Sequence, residues 1–361
     1  MQFEFSDEQA QFRDVVQRFC RDKSPAQTVR RIMETESGFD RDLWRALCGQ
    51  LGVAGLHVAE SSGGAGFGAV ELGIVMEEFG RSLMPAPYLA SVLATSALAE
   101  LGESDARDAL MADIAAADTI ATLALDPQHG DPICRSVSAD GGRLNGSVSA
   151  VLDARHADVV LIITADDARP TLHAANAGSD GLTSRPLRTM DRTRRLAELR
   201  FDGVVADRLG SLTNRQLKHV YDTALVALAN ESAGAAQALF DSTVEYVGMR
   251  VQFGRKIGSF QAIKHRLADL LVDVELARVA AYQAAAALAA DEAVSATASL
   301  AKFTTSDACM NAAREAIQLR GGIGFTWEND THLWYRRAKS SEVFLGTPAF
   351  HRERMIQEMT A

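Results

Sequence analysis

The feature that most constrains the fold is a proline-free run over residues 217–250. Because proline breaks helices, a run of this length predicts one helix on the order of 50 Å long at about 1.5 Å per residue. A second run of helical composition follows over residues 261–291. Long apolar-striped helices with short connections predict a helical bundle over residues 207–361 that also buries surface against other subunits.

The first part of the chain, residues 1–115, is also helical in pattern. Phe12, Val15 and Phe19 recur at the spacing of one helix face, and Ser6 precedes them as a candidate helix cap. These residues predict an N-terminal helical domain.

The segment between these regions, residues 116–206, has a different sequence pattern. Short apolar runs lie between Asp, Gly and Pro residues, which is typical of strands joined by turns. Two pairs are typical of hairpin turns: Gly141-Gly142 and Asn145-Gly146. The segment predicts a middle β domain, so the fold class is α+β in the order helical, β, helical.

Charge and cysteine content exclude several classes of protein. The chain has 37 Lys and Arg against 47 Asp and Glu, a net charge of −10, and nucleic-acid binding needs clustered basic residues. The 4 cysteines lie far apart and the 8 histidines lack metal-ligand spacing, so no metal site is expected. No signal peptide is visible, and no apolar run approaches the ~20 residues that span a bilayer. We therefore expect a cytoplasmic protein without a membrane span or bound nucleic acid.

A set of spaced motifs carries most of the information about function. They are Arg250-Val251-Gln252-Phe253-Gly254 followed by Gln261, Gln318-Leu319-Arg320-Gly321-Gly322, and Gly346-Thr347. In this order they resemble the RxxFG, QxxGG and GT motifs of the acyl-CoA dehydrogenase family of flavoproteins. The resemblance covers essentially the whole chain. It implies an N-terminal helical domain, a middle β domain and a C-terminal four-helix-bundle domain.

The resemblance also implies FAD as the cofactor. Arg250 would bind the pyrophosphate, because a guanidinium offers a planar fork of donors to phosphate oxygens. The phenylalanine of the motif would supply an apolar face, two glutamines would supply hydrogen bonds, and the glycine pair would let the backbone approach the cofactor. The implied set is Arg250, Phe253, Gln261, Gln318, Gly321, Gly322 and Thr347. In the family these groups reach FAD across a dimer interface, so flavin binding implies an oligomer.

The carboxylates that the family uses as catalytic base are missing. In most members a Glu before Gly-Thr removes the α-proton of the acyl thioester, and Leu345 stands at this position. A second known base position, on the long helix, corresponds to Ala224. Asp222 matches a substrate-binding position nearby, although its usual Arg partner is Leu225.

Glu231 is the remaining candidate for the base. It lies seven residues after Ala224 in an otherwise small and apolar stretch, which puts it within ~20° of the same helix face and roughly 10 Å further along. A subset of the family, including actinobacterial enzymes that act on bulky steroid side-chain thioesters, is similar in having Glu here. Burial should raise the pKa of such a carboxyl, which suits a base near neutral pH. The alternative is a buried Glu that pairs with an Arg or Lys for structure.

Other departures weaken the expected flavin pocket. Leu125-Asp126-Pro127 replaces the family's Thr-Glu-Pro loop, and Val151 stands where an aromatic residue contacts the flavin. Near the C-terminus, Arg336-Arg337-Ala338 replaces the common Arg-Asp-Ala.

Two functions therefore fit the sequence. The first is FAD-dependent α,β-dehydrogenation of an acyl-CoA thioester, including a bulky or steroid side-chain acyl group, to the 2-enoyl-CoA. Glu231 would be its base, and an electron-transfer flavoprotein would accept the electrons. The second is a non-catalytic partner subunit of an α2β2 acyl-CoA dehydrogenase that completes the FAD site of its neighbour. Both predict an oligomer, either of identical chains or of two chain types.

Overall fold

The computed structural model of the protein describes residues 5–126, 132–165 and 169–360. Pro127 of the predicted Leu-Asp-Pro loop lies outside these residues. The helices are α1 (Asp7–Lys23), α2 (Ala26–Glu34), α3 (Arg41–Leu51), α4 (Ala69–Ser82), α5 (Tyr88–Ala99), α6 (Asp105–Ala115), α7 (Asn214–Met249), α8 (Gln261–Ala289), α9 (Ser295–Arg320), α10 (Thr331–Val343) and α11 (Pro348–Thr360). The strands are β1 (Ala121–Ala124), β2 (Val137–Asp140), β3 (Arg143–Leu152), β4 (Val159–Ala165), β5 (Pro170–Asn176), β6 (Leu182–Pro186), β7 (Leu196–Val205), β8 (Asp207–Ser211), β9 (Val251–Gln252) and β10 (Arg255–Lys256). This helical, β, helical order confirms the predicted fold class.

The chain divides into two compact units. The bundle unit comprises the described residues of 1–29, 73–84 and 225–361, and the sheet unit comprises those of 30–72 and 85–224. The predicted domain boundaries near 115 and 206 stay predictions. The last strand of the sheet unit ends at Ser211, just before α7 begins.

The first helix begins where the sequence predicts it. The Ser6 side chain accepts a hydrogen bond from the Gln9 backbone N–H, and the Gln9 side chain accepts one from the Ser6 backbone N–H. This capping box satisfies two donors that a helix start leaves unpaired. Phe19 is buried, whereas Val15 is half exposed, so the apolar face of α1 is narrower than the pattern indicated.

Two four-stranded sheets form the β part of the sheet unit. One has the order β2-β3-β7-β6 and is antiparallel, and the other has the order β1-β4-β5-β8 with β1 parallel to β4. Gly141-Gly142 forms the β2–β3 hairpin turn as predicted, with both residues at positive φ. The second predicted turn is wrong, because Asn145 and Gly146 lie inside β3 beside a β-bulge. A Cβ at Gly146 would come within 2.2 Å of the Ser136 carbonyl oxygen, so glycine here permits a close strand approach.

The bundle unit is built on the predicted long helix, α7. The described part of the unit packs α9 against α8, α10 and α11. Its core consists largely of alanines with a few larger side chains from α7, α8 and α9, which lets the helix backbones approach closely. None of the described helices combines the length and apolar character needed to cross a membrane.

Candidate active site

The RxxFG motif forms a short hairpin at the end of α7. The Arg250 N–H donates to the Tyr246 carbonyl, and the Arg250 carbonyl accepts from the Ile257 N–H, each at 2.8 Å. Phe253 and Gly254, both at positive φ, make the turn between β9 and β10. The Phe253 side chain is 90% exposed. The hairpin thus presents Arg250 and Phe253 to the surroundings of the bundle unit.

The QxxGG motif lies beside the same end of α7. Gly321, at φ +65°, ends α9 and starts a 3₁₀ turn that runs to Phe325. Arg320 fixes this position, because its guanidinium donates to the Ser242 carbonyl at 3.0 Å and to Thr243 Oγ1 at 3.1 Å. The two predicted flavin motifs are therefore brought together by Arg320, to which the sequence motif assigns no role of its own.

The other two members of the predicted FAD set lie at helix starts. Gln261 is the first residue of α8 and is exposed. Thr347 precedes α11, where its Oγ1 accepts from the Phe350 N–H at 3.3 Å, and it is also exposed. All seven predicted FAD residues belong to the bundle unit, and all seven are exposed.

The exposed residues fit a phosphate-bearing cofactor on two counts. At Gly322 an added Cβ would meet no atom within 4 Å, and its φ is not left-handed, so the chain's own packing does not require glycine there. Because Gly322 has no side chain, its backbone N–H can be approached closely by a large external group. Among the described residues Arg250 forms no ion pair, so its donors are available to an anion. The surface is compatible with FAD.

Both family base positions are apolar and buried. Leu345 is 0% exposed and has φ +59°, and its carbonyl is 2.7 Å from His351 Nε2. Ala224 is buried on α7, as is Asp222, the predicted substrate-binding residue. Asp222 and Ala224 belong to the sheet unit, whereas Leu345 belongs to the bundle unit.

Glu231 is held in a buried ion pair. Its Oε1 accepts from Arg337 Nη1 on α10 at 2.7 Å, and the two side chains are 8% and 4% exposed. An opposite charge this close stabilises the ionised carboxylate, the more so away from water. This is the pairing of a buried Glu with an Arg or Lys that the sequence left open as the alternative to a catalytic base, although the sequence did not single out Arg337 as the partner. The opposite charges of the two residues were the signal that could have found it.

The backbone at Glu231 is fixed by a close crossing of α4 and α7. A Cβ at Gly80 would lie 1.9 Å from the Glu231 carbonyl oxygen, and one at Gly234 would lie 1.9 Å from the Glu77 carbonyl oxygen. Gly80 thus packs on Glu231, three residues before Gly234, and Gly234 packs on Glu77, three residues before Gly80. Burial also raises the pKa of the Cys309 thiol to about 12, with a contribution from the Glu231 charge. This thiol is therefore protonated at neutral pH and is not a nucleophile.

Comparison with known proteins identifies the family of the chain. Residues 6–118 match the family model of the acyl-CoA dehydrogenase N-terminal domain, and residues 223–360 match that of the C-terminal domain. The chain is 34% identical to acyl-CoA dehydrogenase IpdE2 of Mycolicibacterium smegmatis, with 98% of this chain and 99% of that protein covered.

Solved structures give the same result. The ChsE4-ChsE5 complex from Mycobacterium tuberculosis has a chain that is 27% identical, with a TM-score of 0.91 over 100% of this chain and 99% of that one. The Tcur3481-Tcur3483 steroid ACAD is 28% identical, with a TM-score of 0.89 and 98% of both chains covered. The chain therefore belongs to the acyl-CoA dehydrogenase family.

Proposed function

We propose that this chain is the flavin-completing partner subunit of a hetero-oligomeric, FAD-dependent acyl-CoA dehydrogenase. Such an enzyme converts an acyl-CoA thioester to the 2-enoyl-CoA, and FAD when bound would supply the hydride acceptor. The exposed residues Arg250, Gln318 and Thr347 would hold the cofactor. Arg250 would donate to the pyrophosphate, and the open backbone at Gly322 would let the cofactor approach.

The observation that carries this proposal is the Glu231–Arg337 ion pair. The α-proton of a thioester is removed by a carboxylate, and both usual positions for one hold buried apolar residues, Leu345 and Ala224. Glu231 is already bonded to a buried guanidinium at 2.7 Å. To act as the base it would have to give up the charge stabilisation of this buried ion pair. We infer that the base comes from a second type of chain.

The relatives support a hetero-oligomer and a bulky substrate. One solved neighbour is a complex of two named chains, ChsE4 and ChsE5, and another is a steroid ACAD. We propose that the acyl group is bulky and steroid-derived and that an electron-transfer flavoprotein accepts the electrons. A structure of an electron-transferring flavoprotein is also among the neighbours, but its 23% identity supports the fold alone.

A second candidate function keeps the base on this chain. Glu231 lies on α7 seven residues after Ala224, in one uninterrupted helix, and thus on nearly the same helix face. If substrate binding displaced Arg337, the freed carboxylate could remove the α-proton. The chain would then be a self-sufficient dehydrogenase.

The visible absorption spectrum separates the two candidates. We expect the chain purified alone to lack the flavin bands, and the complex with a co-expressed paralogue to be yellow at about one FAD per two chains. A homo-oligomer with about one FAD per chain and dehydrogenase activity would contradict the partner-subunit proposal.

Glu231→Gln in the active complex tests the base directly. General bases contribute about 10²- to 10⁴-fold to rate. The partner-subunit proposal predicts kcat within about threefold of wild type, once the measurement is made at a temperature where the variant is folded. A loss of 100-fold or more with flavin retained would instead make Glu231 the base.

A further inference from the structure

The turn between α10 and α11 has an unusual backbone. Leu345 has φ +59° and Gly346 has φ +97°, so two consecutive residues are in the left-handed region. A side-chain-bearing residue such as Leu345 rarely adopts this conformation, because its Cβ crowds the following carbonyl. The surrounding structure must therefore hold the turn in place.

One side of the turn is held by a buried lysine. Lys302 on α9 is 0% exposed, and its Nζ donates to the Ser341 carbonyl at 2.9 Å and to the Glu342 carbonyl at 3.2 Å. A third bond, at 3.1 Å, goes to Ser306 Oγ. Carbonyls in the last turn of a helix lack partners within that helix and carry partial negative charge. The ammonium thus caps the end of α10 from a neighbouring helix.

The other side is held by a buried histidine. His351 on α11 is 0% exposed, and its Nε2 lies 2.7 Å from the Leu345 carbonyl. Because a carbonyl only accepts, Nε2 carries the proton. Burial lowers the pKa of His351 to about 3, so the ring is neutral at physiological pH. At Gly346 a Cβ would come within 2.8 Å of His351 Nε2, which excludes larger residues from the turn.

The turn determines where Thr347 is placed. Thr347 Oγ1 accepts from the Phe350 N–H as the cap of α11, and the Thr347 carbonyl accepts from the His351 N–H at 3.1 Å. In the part of the chain that the structure describes, the Thr347 O–H meets no acceptor. It is therefore free to donate to an external ligand.

We propose that Lys302 and His351 are positioning residues for the flavin: together they fix the left-handed turn that orients the exposed Thr347 hydroxyl. This inference rests on the proposed function, in which Thr347 contacts FAD. Neither residue touches the cofactor itself. The alternative is that both serve only the stability of the bundle unit, so the test must separate cofactor affinity from folding.

The test measures FAD binding by histidine variants that differ in one hydrogen bond. The full chain, in whichever oligomer binds flavin, is stripped of cofactor and titrated with FAD by fluorescence, and each Tm is recorded. His351→Leu removes the donor to Leu345 and should weaken FAD binding at least tenfold. His351→Gln keeps an N–H donor near the same place and should bind within about threefold of wild type.

Lys302→Met tests the other side of the turn. Its matched control is Lys339→Met, because Lys339 lies on the surface of α10 and pairs with Glu342. The first should weaken FAD binding at least tenfold and the second should leave it unchanged. Should Lys302→Met fail to fold, Gly346→Ala disturbs the same turn without removing the buried charge and should give the same loss.

Three results overturn the proposal. If His351→Leu and Gly346→Ala fold and bind FAD like wild type, the turn does not position the cofactor, whatever their Tm values, and the proposed function stands. If His351→Gln loses as much affinity as His351→Leu, the hydrogen bond is not the cause. If wild type binds no FAD alone or with a paralogue, the proposed function fails and this inference fails with it.

Discussion

At the scale of single residues, the ion pair between Glu231 and Arg337 is the feature that favours a partner subunit over a self-sufficient dehydrogenase. Removing one partner of a buried pair leaves an uncompensated charge and typically costs about 3–5 kcal/mol. Replacing both partners by apolar residues of similar volume is often neutral. These two facts give a test that does not depend on activity.

We predict that Glu231→Leu and Arg337→Leu each lower the free energy of unfolding by about 3–5 kcal/mol, whereas the double variant loses less than either single variant. The measurement is denaturant unfolding of the four proteins in a double-mutant cycle. The more exposed pair Arg266–Glu315, whose side chains are 45% and 26% exposed, is the control, and its coupling should be about 1 kcal/mol or less. Additive effects at Glu231 and Arg337 would mean that the pair is not coupled in solution.

Arg250 supports a second prediction, on the cofactor. Arg250→Met removes the donors proposed for the pyrophosphate and should lower flavin occupancy at least tenfold, because charge-assisted hydrogen bonds are the strong ones. Lys256→Met, in the same hairpin, is the control and should retain flavin. Occupancy is read from the flavin absorbance per chain. Equal retention in both variants would remove Arg250 from the proposed site.

The sequence alone predicts the exposed residues of the candidate site, and these stay predictions, but it did not predict the buried partners. The RxxFG and QxxGG motifs are short contiguous strings, so their residues could be read directly. Arg337 lies 106 positions from Glu231, and which side chains meet across two helices depends on how those helices pack. Lys302 and His351 were missed for the same reason, since a lone Lys or His carries no local signal of a carbonyl partner.

At the scale of elements, the crossing of α4 and α7 depends on two glycines. Gly80→Ala or Gly234→Ala would force a Cβ to 1.9 Å from a backbone oxygen, and that backbone cannot yield without moving a helix. We predict a loss of about 1–3 kcal/mol in the free energy of unfolding for each variant, despite the better helix propensity of Ala.

Gly248→Ala is the matched control for this prediction. Gly248 lies in the last turns of α7, and a Cβ there would meet nothing within 4 Å. Alanine should therefore stabilise the chain by up to about 1 kcal/mol. Thermal unfolding of the three variants checks the expected opposite signs. If Gly234→Ala were as stable as Gly248→Ala, the helices would be further apart than the structure has them.

Element boundaries show what a pattern can predict. The long helix was predictable because no proline interrupts it, and α7 ends at Met249, one residue before the predicted limit. The Asn145-Gly146 pair was predicted as a turn because such pairs favour positive φ. In the structure, the same freedom serves a bulge inside β3. A local pattern shows that a glycine can adopt a positive φ. Whether that glycine forms a turn or a bulge depends on how the strands pair.

At the scale of the whole molecule, three desolvated histidines predict sensitivity to acid: His351 is fully buried, and His57 and His156 are partly buried. Burial lowers the pKa of His57 and His156 to about 4 and that of His351 to about 3. The unfolded chain binds protons at these sites near pH 6.5, whereas the folded chain does not until a much lower pH. The stability that these neutral rings contribute is therefore complete above about pH 6.5 and is lost as the pH falls toward 4.

We predict that the free energy of unfolding decreases steeply between pH 6.5 and 4.5. Three sites that protonate only on unfolding give a limiting slope of about 4 kcal/mol per pH unit, at about 1.4 kcal/mol per proton. Denaturant unfolding at a series of pH values measures it. His57→Gln should reduce the slope by about a third, because Gln can still bond to Thr95, which lies 2.7 Å from His57 Nε2, but does not titrate.

The control is His265→Gln, because His265 is exposed on α8 and its replacement should leave the slope unchanged. A stability profile that stays flat from pH 6.5 to 4.5 would mean that the three rings accept protons in the folded state. For His351, which is fully buried, this would require water to reach the ring, and its hydrogen bond to Leu345 would then no longer depend on a single tautomer. The acid profile therefore also tests, by an independent route, whether the turn at Leu345 is held as tightly as its burial indicates.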